Sequence, residues 1–418
     1  MNAENTLPSR TAEATTELSV QTRVAILFHR FGPYHHARLS AAGRLLSVWG
    51  VEACATEDIY RWNKVEGARA FARVTLTDHD SGDRAWRQEV RRKMRQTLGE
   101  IKPQAVVIPG WVSPDAVSAL DWCVETKTPV VIMSESNVWD ESRTLWKERV
   151  KRRLVHMCGA GLVGGTAQSE YLAQLGMPPE RIFVGYDIVD NDHFMAKAAD
   201  CRQRLPECRQ ALGLSRKYFL ASARFVGKKN LVRLLQAYAR YRELAQNSEA
   251  WDLVLLGDGP LRDTLQRQLA TAKLGEHVRL PGFKQYDELP AWYGCAEAFV
   301  HASTIEQWGL VVNEAMASGL PVLVSNRCGC APDLVKDGVN GFTFDPLNVE
   351  AMASLMFKLS TANLELTTFG SASQKIIAQW GPDRFGTGLV QAVAKALSQP
   401  SVRHNALDVA LLRFLLLR

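Results

Sequence analysis

Two carboxylates bracket a loop and the start of a helix in the second half of the chain. Glu306 lies in the polar loop TIEQWG, and Glu314 lies in the helical stretch LVVNEAMASG that follows. On one continuous helix they would be about 12 Å apart along the axis, so they can serve one ligand only if Glu306 turns back from the loop. The amides of Gly309, Leu310 and Val311 at the helix start form an anion site. We expect phosphates to meet these amides and ligand hydroxyls to meet the carboxylates.

Cations follow an earlier strand of the same half. The stretch ASARFVGKKNL places Arg224 at the end of a strand and Lys228 and Lys229 just before a helix. Arg can hold two phosphate oxygens at once and Lys acts as a point charge, so both suit a phosphate whose charge grows as it leaves. Basic surface residues at a helix start would give the same pattern. A further turn, LLGDGPL, places Gly257 after a strand, as in loops that approach phosphate or base.

Alternating strands and helices position these groups. Apolar strand-like runs alternate with helical patterns in both halves, which predicts parallel sheets covered on both faces. The fold class is therefore α/β, with two doubly wound Rossmann-like domains that face a central cleft. The last regular helix is expected to cross back to the first domain. The predicted parts are a disordered lead at 1–21, an N-terminal Rossmann-like domain at 22–190 plus about 381–398, a C-terminal Rossmann-like domain at 215–380, and an apolar tail at 399–418.

The first half offers candidates for the other wall of the cleft. The strand VAILFH runs into the turn RFGPYHHARL, and a helix is predicted from about His36 to residue 50. Ligands bind outside the carboxyl ends of such strands, where Gly32, His35 and His36 lie. Adjacent helical residues point apart, so at most one of the two histidines faces the cleft. Further candidates for this wall follow later strands: Trp111, Ser113, Ser134 and Glu135.

Composition limits the partners. The chain has 418 residues, a net charge of +6 and no apolar run long enough to span a membrane. Basic helical stretches at 84–95 and 147–153 are either solvated faces or sites for an anionic membrane surface. No nucleic-acid module accompanies this charge, so no nucleic-acid partner is expected. Eight scattered cysteines and a start without an apolar leader predict a cytoplasmic protein, peripheral at the inner membrane face if the basic stretches bind lipid.

The apolar end HNALDVALLRFLLLR leaves two alternatives open. It is either a helix docked on the protein or an anchor that lies on a membrane surface.

The motifs of the second half resemble those of a known family. Residues 216–346 are similar to the donor-binding domain of the GT-B glycosyltransferases, above all to the retaining glycosyltransferase family four (group 1 glycosyl transferases). Glu306 and Glu314 match its Glu-x7-Glu motif, and Arg224 and Lys229 match its Arg-x4-Lys pair. GDGPL, PGF at 281–283 and SGLPVLVSN match further landmarks. The first half resembles the family in architecture only.

This resemblance implies a division of roles between an N-terminal acceptor-binding domain and a C-terminal nucleotide-sugar-binding domain. The acceptor-site candidates of the first domain are then His35, His36, Trp111, Ser113, Ser134 and Glu135. Arg224 and Lys229 would hold the donor diphosphate and stabilise the leaving nucleotide. Glu314 would hold the ribose hydroxyls, and Glu306 would contact the donor sugar and stabilise its cationic transition state. Further donor contacts are implied for these residues: Gly309, Leu310, Val311, Gly282, Phe283, Gly257 and Gly32. No metal or cofactor is expected beside the nucleotide-sugar donor.

One departure concerns the first domain. Many family members carry a histidine after its fourth strand, whereas this chain reads PGWVSP at 109–114. Trp111 or Ser113 occupies that neighbourhood, so no catalytic histidine is assigned.

Three functions compete. The first is a retaining transferase that moves a sugar from a nucleotide-diphosphate sugar to a glycan, a lipid-linked acceptor or a small molecule. An inverting transferase would need a general base in the first-domain cleft, with His35, His36 or Glu135 as candidates. A non-catalytic subunit that binds nucleotide sugar or associates with a membrane would bind the donor without turnover.

Overall fold

The structure is a computed structural model, and it describes residues 20–56, 62–63, 70–111, 113–246, 250–361, 366–399 and 404–417. Nearly all of the predicted lead at 1–21 lies outside these ranges. The described chain forms two parallel sheets with helices on both faces, which confirms the predicted fold class.

The N-terminal sheet has seven parallel strands within the described ranges. In chain order its elements are β1 Arg23–Phe28, α1 Pro33–Gly43, β2 Ser47–Thr56, β3 Ala72–His79, α2 Arg84–Ile101, β4 Ala105–Pro109, α3 Pro114–Thr126, β5 Val130–Ser134, α4 Leu145–His156, β6 Ala160–Val163, α5 Thr166–Gln174 and β7 Ile182–Val184. The strand order is β3-β2-β1-β4-β5-β6-β7. The winding direction reverses between β1 and β4, and a crevice for ligands opens at such a point.

The predicted helix from His36 to residue 50 is wrong at its end. α1 stops at Gly43, and residues 47–50 begin β2. β2 pairs with β1 in continuous register from Arg23 opposite Ser47 to Phe28 opposite Glu52. These pairings satisfy the backbone groups of residues 47–50, whose apolar spacing fits a helix as well as a buried strand.

A buried carboxylate fixes the turn after β1. Glu52 is fully buried, and its Oε2 accepts a hydrogen bond from the backbone N–H of Phe31 at 2.8 Å. The other oxygen accepts from Arg73 Nε at 2.8 Å and from the Thr75 hydroxyl at 2.6 Å. A buried charge that is fully paired in this way holds its neighbours in one arrangement. The turn that leads into α1 is therefore set by the sheet itself.

The C-terminal sheet has six parallel strands among the described residues. Its elements are α6 Asn191–Gln203, α7 Leu205–Ala211, β8 Tyr218–Ser222, α8 Leu231–Leu244, β9 Asp252–Leu256, α9 Arg262–Thr271, β10 Val278–Gly282, α10 Leu289–Cys295, β11 Ala298–His301, α11 Leu310–Ala317, β12 Val322–Ser325, α12 Ala331–Leu334, β13 Gly341–Phe344, α13 Val349–Thr361 and α14 Leu366–Ile377. The strand order is β10-β9-β8-β11-β12-β13. Here the winding reverses between β8 and β11.

The chain then returns to the first sheet. Helix α15, Pro382–Ser398, buries Phe385, Leu389 and Val393 in one core cluster with β1 residues such as Val24. The predicted crossing of the last regular helix is confirmed.

The apolar end docks on the protein. Helix α16, Ala406–Leu417, packs against α3 and buries Leu412 completely. Arg153 of the basic stretch at 147–153 donates from Nε to Asp408 Oδ1 at 2.6 Å. Of the two alternatives for this end, the structure has the docked helix. Its outer side leaves Leu407 and Phe414 exposed.

Candidate functional site

The reversal between β8 and β11 brings the charged motifs of the second domain together. A cavity of about 730 Å³ opens there between the two domains. The predicted residues that line it are Arg224, Lys229, Gly257, Phe283, Glu306, Gly309, Leu310, Val311, Glu314 and, from the first domain, Glu135. The size suits a ligand as large as a nucleotide.

Glu306 is the centre of a hydrogen-bond network at this cavity. Its Oε2 pairs with the ammonium of Lys229. The same oxygen lies 3.0 Å from His301 Nε2 and accepts from the Ser303 hydroxyl at 3.1 Å. The positive charge of Lys229 and the hydrogen bond from His301 hold the pKa of Glu306 well below its usual range, although burial acts in the opposite direction. Glu306 is therefore an anion at neutral pH.

Main-chain bonds tie the cation loop to the carboxylate loop. The backbone N–H of Thr304 donates to the carbonyl of Lys228 at 2.9 Å. Beyond Lys229 the chain enters α8 through Asn230, whose φ is +58° and whose side-chain amide donates to the Pro346 carbonyl at 2.7 Å. The loops after β8 and β11 are thus hydrogen-bonded to each other, which brings together Lys229 and Glu306, 77 positions apart in the sequence.

Gly309 opens α11 toward the cavity. Its φ is +107°, a conformation that favours glycine. A side chain there would contact Glu306 Cγ at 3.4 Å and His301 Nε2 at 3.6 Å. The first-turn amides of an α-helix have no intrahelical partner, and in α11 they belong to residues that line the cavity. This end of α11 can accept a phosphate.

Glu314 is held by tyrosines of both domains. Tyr34 of the first domain donates its hydroxyl to Oε1, and Tyr293 donates to Oε2 at 2.6 Å. Burial raises the pKa of Glu314 to about 7, while the two hydroxyl bonds lower it. The predicted ribose contact would therefore compete with the Tyr34 hydroxyl at this carboxylate. The sequence did not predict this tyrosine, because the pair joins residues 280 positions apart.

Two aromatic side chains, Phe283 and Trp62, line another part of the cavity. Phe283 is 40% exposed and lies with its ring centroid 5.0 Å from that of Trp62 in the first domain. Gly257 donates its N–H to the carbonyl of Gly282 at 3.0 Å. Its φ is +119°, and a Cβ there would lie 1.9 Å from the Ala223 carbonyl oxygen, so this turn requires glycine. Gly282 thus supports the cavity through Gly257, and Phe283 lines it.

Gly32, His35 and His36 are not among the described residues that line the site cavity. Gly32 is the N-cap of α1, and its N–H donates to Nδ1 of His35 at 3.0 Å. Burial, together with Arg38 and Arg30, lowers the pKa of His35 to about 3, so this imidazole is neutral. His36 faces Phe71 with ring centroids 5.6 Å apart and lines a second cavity of about 920 Å³ behind α1.

The four later acceptor-site candidates differ in whether they line the site cavity. Trp111 is 8% exposed and belongs to the hydrophobic core of the first domain. Ser113 is the N-cap of α3, with its hydroxyl oxygen buried, and Ser134 accepts from the Ser136 N–H at 3.3 Å. Glu135 is the member of this group that lines the site cavity.

Glu135 adjoins a buried charged pair. Asp187 is fully buried, and Arg38 NH2 lies 3.6 Å from its Oδ1. Burial and the neighbouring Glu135 raise the pKa of Asp187 well above its usual range.

The first domain also holds the Glu306 loop through main-chain contacts. Asn137 donates its side-chain amide to the carbonyls of Glu306 and Gln307 at 3.2 and 3.1 Å. Gln307 in turn donates to Asp140 at 3.2 Å. The loop that carries Glu306 is therefore fixed by both domains.

The described residues contain neither a metal-binding cluster nor a membrane-spanning helix. In those ranges, no group of three or more His, Cys, Asp or Glu side chains is arranged to hold a metal ion. None of the described helices has the length and hydropathy of a membrane span. All eight cysteines are free thiols.

Comparison with known proteins supports the motif reading. Residues 207–375 match the model of the glycosyl transferases group 1 family. The predicted resemblance to group 1 glycosyltransferases is confirmed for this part of the chain.

Curated relatives match over a similar length. The chain is 28% identical over 195 residues to an alpha-D-kanosaminyltransferase of Streptomyces kanamyceticus. The matched residues make up 46% of this chain and 48% of the relative. It is 33% identical over 173 residues to a GDP-mannose-dependent alpha-(1-6)-phosphatidylinositol monomannoside mannosyltransferase of Mycolicibacterium smegmatis, covering 40% and 44%. The chain thus spans about half the length of these relatives.

Solved structures match nearly the whole chain. HepE of Anabaena in complex with UDP superposes with a TM-score of 0.63 at 20% identity, over 88% of this chain and 97% of that one. This similarity shows that both domains share the GT-B fold.

Proposed function

We propose that this protein is a glycosyltransferase that moves a sugar from a nucleotide-diphosphate sugar to an acceptor, with retention of anomeric configuration. The observation that carries the proposal is the meeting of Arg224, Lys229 and Glu306 with the first turn of α11 at one interdomain cavity. An anion, two cations and a helix N-terminus match the charges of an oxocarbenium-like centre and a departing diphosphate.

The groups divide the work along the cavity. The cations and the amides of Gly309 and Leu310 bind the diphosphate and stabilise its growing charge. Glu306 is an anion before the donor arrives, so it stabilises the positive charge that develops on the sugar without a proton transfer. Glu314 accepts the ribose hydroxyls once Tyr34 has moved.

A donor screen tests this proposal. UDP-, GDP-, ADP- and dTDP-sugars are incubated with the protein, with and without simple glycoside and lipid acceptors, and release of the nucleoside diphosphate is measured. We expect release from one donor class. Saturable donor binding with no release under any condition would instead favour the non-catalytic subunit.

Retention has its own measurement. The anomeric configuration of the product is read by NMR from the coupling constant of the transferred sugar. An inverted product would assign the base role to the first-domain wall, where Glu135 lines the cavity.

We further propose that the acceptor is reached at an anionic membrane surface, with the protein in the cytoplasm. At the start of α4, Leu145 is 81% exposed and Trp146 57% exposed, and Lys147 and Arg149 follow. Apolar side chains beside cations suit a lipid interface. One relative is a phosphatidylinositol monomannoside mannosyltransferase by name.

Liposome sedimentation checks the membrane proposal. We expect the chain to sediment with vesicles that contain anionic lipid and to stay in solution with neutral vesicles. Replacing Leu145 and Trp146 by serine should abolish sedimentation. Equal sedimentation of this variant and the unchanged chain would reject the assigned surface.

A further inference from the structure

We propose that His301 is a positioning residue, which holds Glu306 ionised and oriented after Lys229 has turned to the donor diphosphate. This inference rests on the proposed function and deepens it, because it adds a residue that none of the matched motifs contains.

His301 ends β11 directly beneath the Glu306 loop. Its side chain is 3% exposed, and its ring stacks on Phe299 with centroids 6.2 Å apart. Nε2 lies 3.0 Å from Glu306 Oε2 and 3.3 Å from the Ser303 hydroxyl. The imidazole therefore has a fixed place in the sheet and contacts the same carboxylate oxygen that binds Lys229.

The imidazole is a neutral donor. Burial lowers the pKa of His301, although the bond to Glu306 acts in the opposite direction. A neutral imidazole donates from one nitrogen only, and Nε2 is the nitrogen at the carboxylate. His301 therefore stabilises the charged form of Glu306 without cancelling its charge, whereas Lys229 neutralises it.

This difference matters because Lys229 is expected to bind Glu306 before the donor arrives and the diphosphate afterwards. In the ligand-free protein its ammonium pairs with Glu306, yet the proposed reaction needs it on the diphosphate. When it moves, Glu306, whose side chain is 12% exposed in the ligand-free protein, loses its cation. An unpaired buried carboxylate takes up a proton or changes its rotamer. The hydrogen bonds from His301 and Ser303 prevent both the protonation of Glu306 and its change of rotamer.

The orientation of Glu306 follows from the same bonds. The contacts of Lys229, His301 and Ser303 all involve Oε2. Oε1 has no hydrogen-bond partner among the described residues, and Glu306 lines the cavity. The network thus fixes one oxygen and leaves the other for the sugar.

Several titratable groups lie around Glu306. Lys229, His301 and the thiols Cys328 and Cys330 interact with it electrostatically. Burial raises the pKa of both thiols well above the usual range, so they remain neutral near pH 7. Glu314, whose pKa burial raises to about 7, lines the same cavity with Glu135, Arg224 and Lys228. The NMR signal of Glu306 itself therefore separates its titration from that of Glu314, and a shift of the kcat profile is attributed to Glu306 only when that signal moves with it.

The first experiment needs no substrate. Glutamate is labelled with ¹³C at the carboxyl group, the Glu306 signal is assigned by its loss in Glu306→Gln, and its titration is followed by NMR. The reference is Lys229→Met, which imitates the departure of the cation. We expect His301→Leu in this background to raise the pKa of Glu306 by about one to two units, and His301→Gln, which keeps a donor, to stay near the reference.

The second experiment uses the nucleotide sugar that the unchanged protein turns over. We expect His301→Leu to lower kcat by about 10- to 100-fold with little change in KM for the donor, and to shift the acidic limb of the kcat profile to higher pH. His301→Gln should recover most of kcat and the original limb.

The outcomes are distinct. Identical Glu306 titrations in all three Lys229→Met proteins would overturn the role of His301, even if a donor is turned over. Loss of kcat in both His301 variants with an unmoved acidic limb would also overturn it, because this is the pattern of a purely structural residue. A shifted titration with no donor turned over would uphold the pair and reject the proposed transferase.

Discussion

The two walls of the interdomain cavity differ in chemistry and in how they are built. The C-terminal wall presents Arg224, Lys229 and Glu306 on loops that follow neighbouring strands of one sheet. The N-terminal wall presents Tyr34 from the first turn of α1, Trp62, and Glu135 directly after β5. The charged wall has the groups proposed to break a sugar–phosphate bond, and the other has an aromatic surface with one carboxylate.

This difference shows which part of the reaction each domain controls. Lys229 and Glu306 of the C-terminal wall are paired with each other in the absence of ligand, so a diphosphate that binds Lys229 would have to replace Glu306 there. The N-terminal wall contacts that site through Tyr34 on Glu314 and Asn137 on the Glu306 loop. We infer that the C-terminal domain performs the donor chemistry and the N-terminal domain adjusts access to it.

The largest effect is expected for Glu306→Gln. The substitution keeps the shape of the side chain and removes the anion, so turnover should fall by about 100- to 1,000-fold. Affinity for the nucleoside diphosphate should stay equal or increase, because Lys229 is released from its ion pair. Steady-state kinetics and calorimetry on the same preparation check this. A parallel loss of binding would place Glu306 in nucleotide recognition.

Lys229→Met should have the next largest effect. Lys228 is a matched control, since it is adjacent, exposed and also lines the cavity. We expect about 100-fold slower turnover for Lys229→Met, with a smaller loss of donor binding, because the leaving-group charge is greatest late in the reaction. Lys228→Met should remain within about threefold of the unchanged protein. Equal losses in kcat and in donor affinity would refute the leaving-group role.

Changes at the contact between the walls should be smaller and opposite in sign. Glu314→Ala removes the proposed ribose acceptor and should weaken nucleoside diphosphate binding about tenfold. Tyr34→Phe removes the hydroxyl that occupies Glu314 and should tighten binding about threefold. Calorimetric titration measures both. Weaker binding in Tyr34→Phe would mean that the tyrosine contacts the ligand and does not compete with it.

Metal removal should have the smallest effect. The diphosphate is expected to be neutralised by Arg224, Lys229 and main-chain amides, so turnover in excess EDTA should equal that in buffer. Loss of turnover in chelator, restored by magnesium or manganese, would show that a metal takes part of this role.

The contrast between the walls also explains what could be predicted from the sequence. Glu306, Gly309, Arg224 and Lys229 lie in short loops between regular strands and helices, so their spacing alone places them at one sheet edge. No local feature of the sequence predicts the hydrogen bond between Tyr34 and Glu314, because that contact depends on how the two domains pack together.

Two further differences between the sequence prediction and the structure have local causes. His301 ends a strand five positions before Glu306, and a polar residue at that strand end was the available signal. The end of α1 was misplaced because residues 47–50 have an apolar spacing that suits both states, and pairing with β1 decides between them. Sequence spacing thus predicts a wall built from neighbouring loops of one sheet better than a wall assembled from distant parts of the chain.

Calorimetric titration with UDP, GDP and ADP shows whether the interdomain cavity is a nucleotide site at all. We expect at least one of them to bind with one-to-one stoichiometry, and replacement of both Arg224 and Lys229 by methionine to abolish the heat signal. If none of the three binds the unchanged protein at millimolar concentration, or if the double variant binds as well, the cavity is not the donor site.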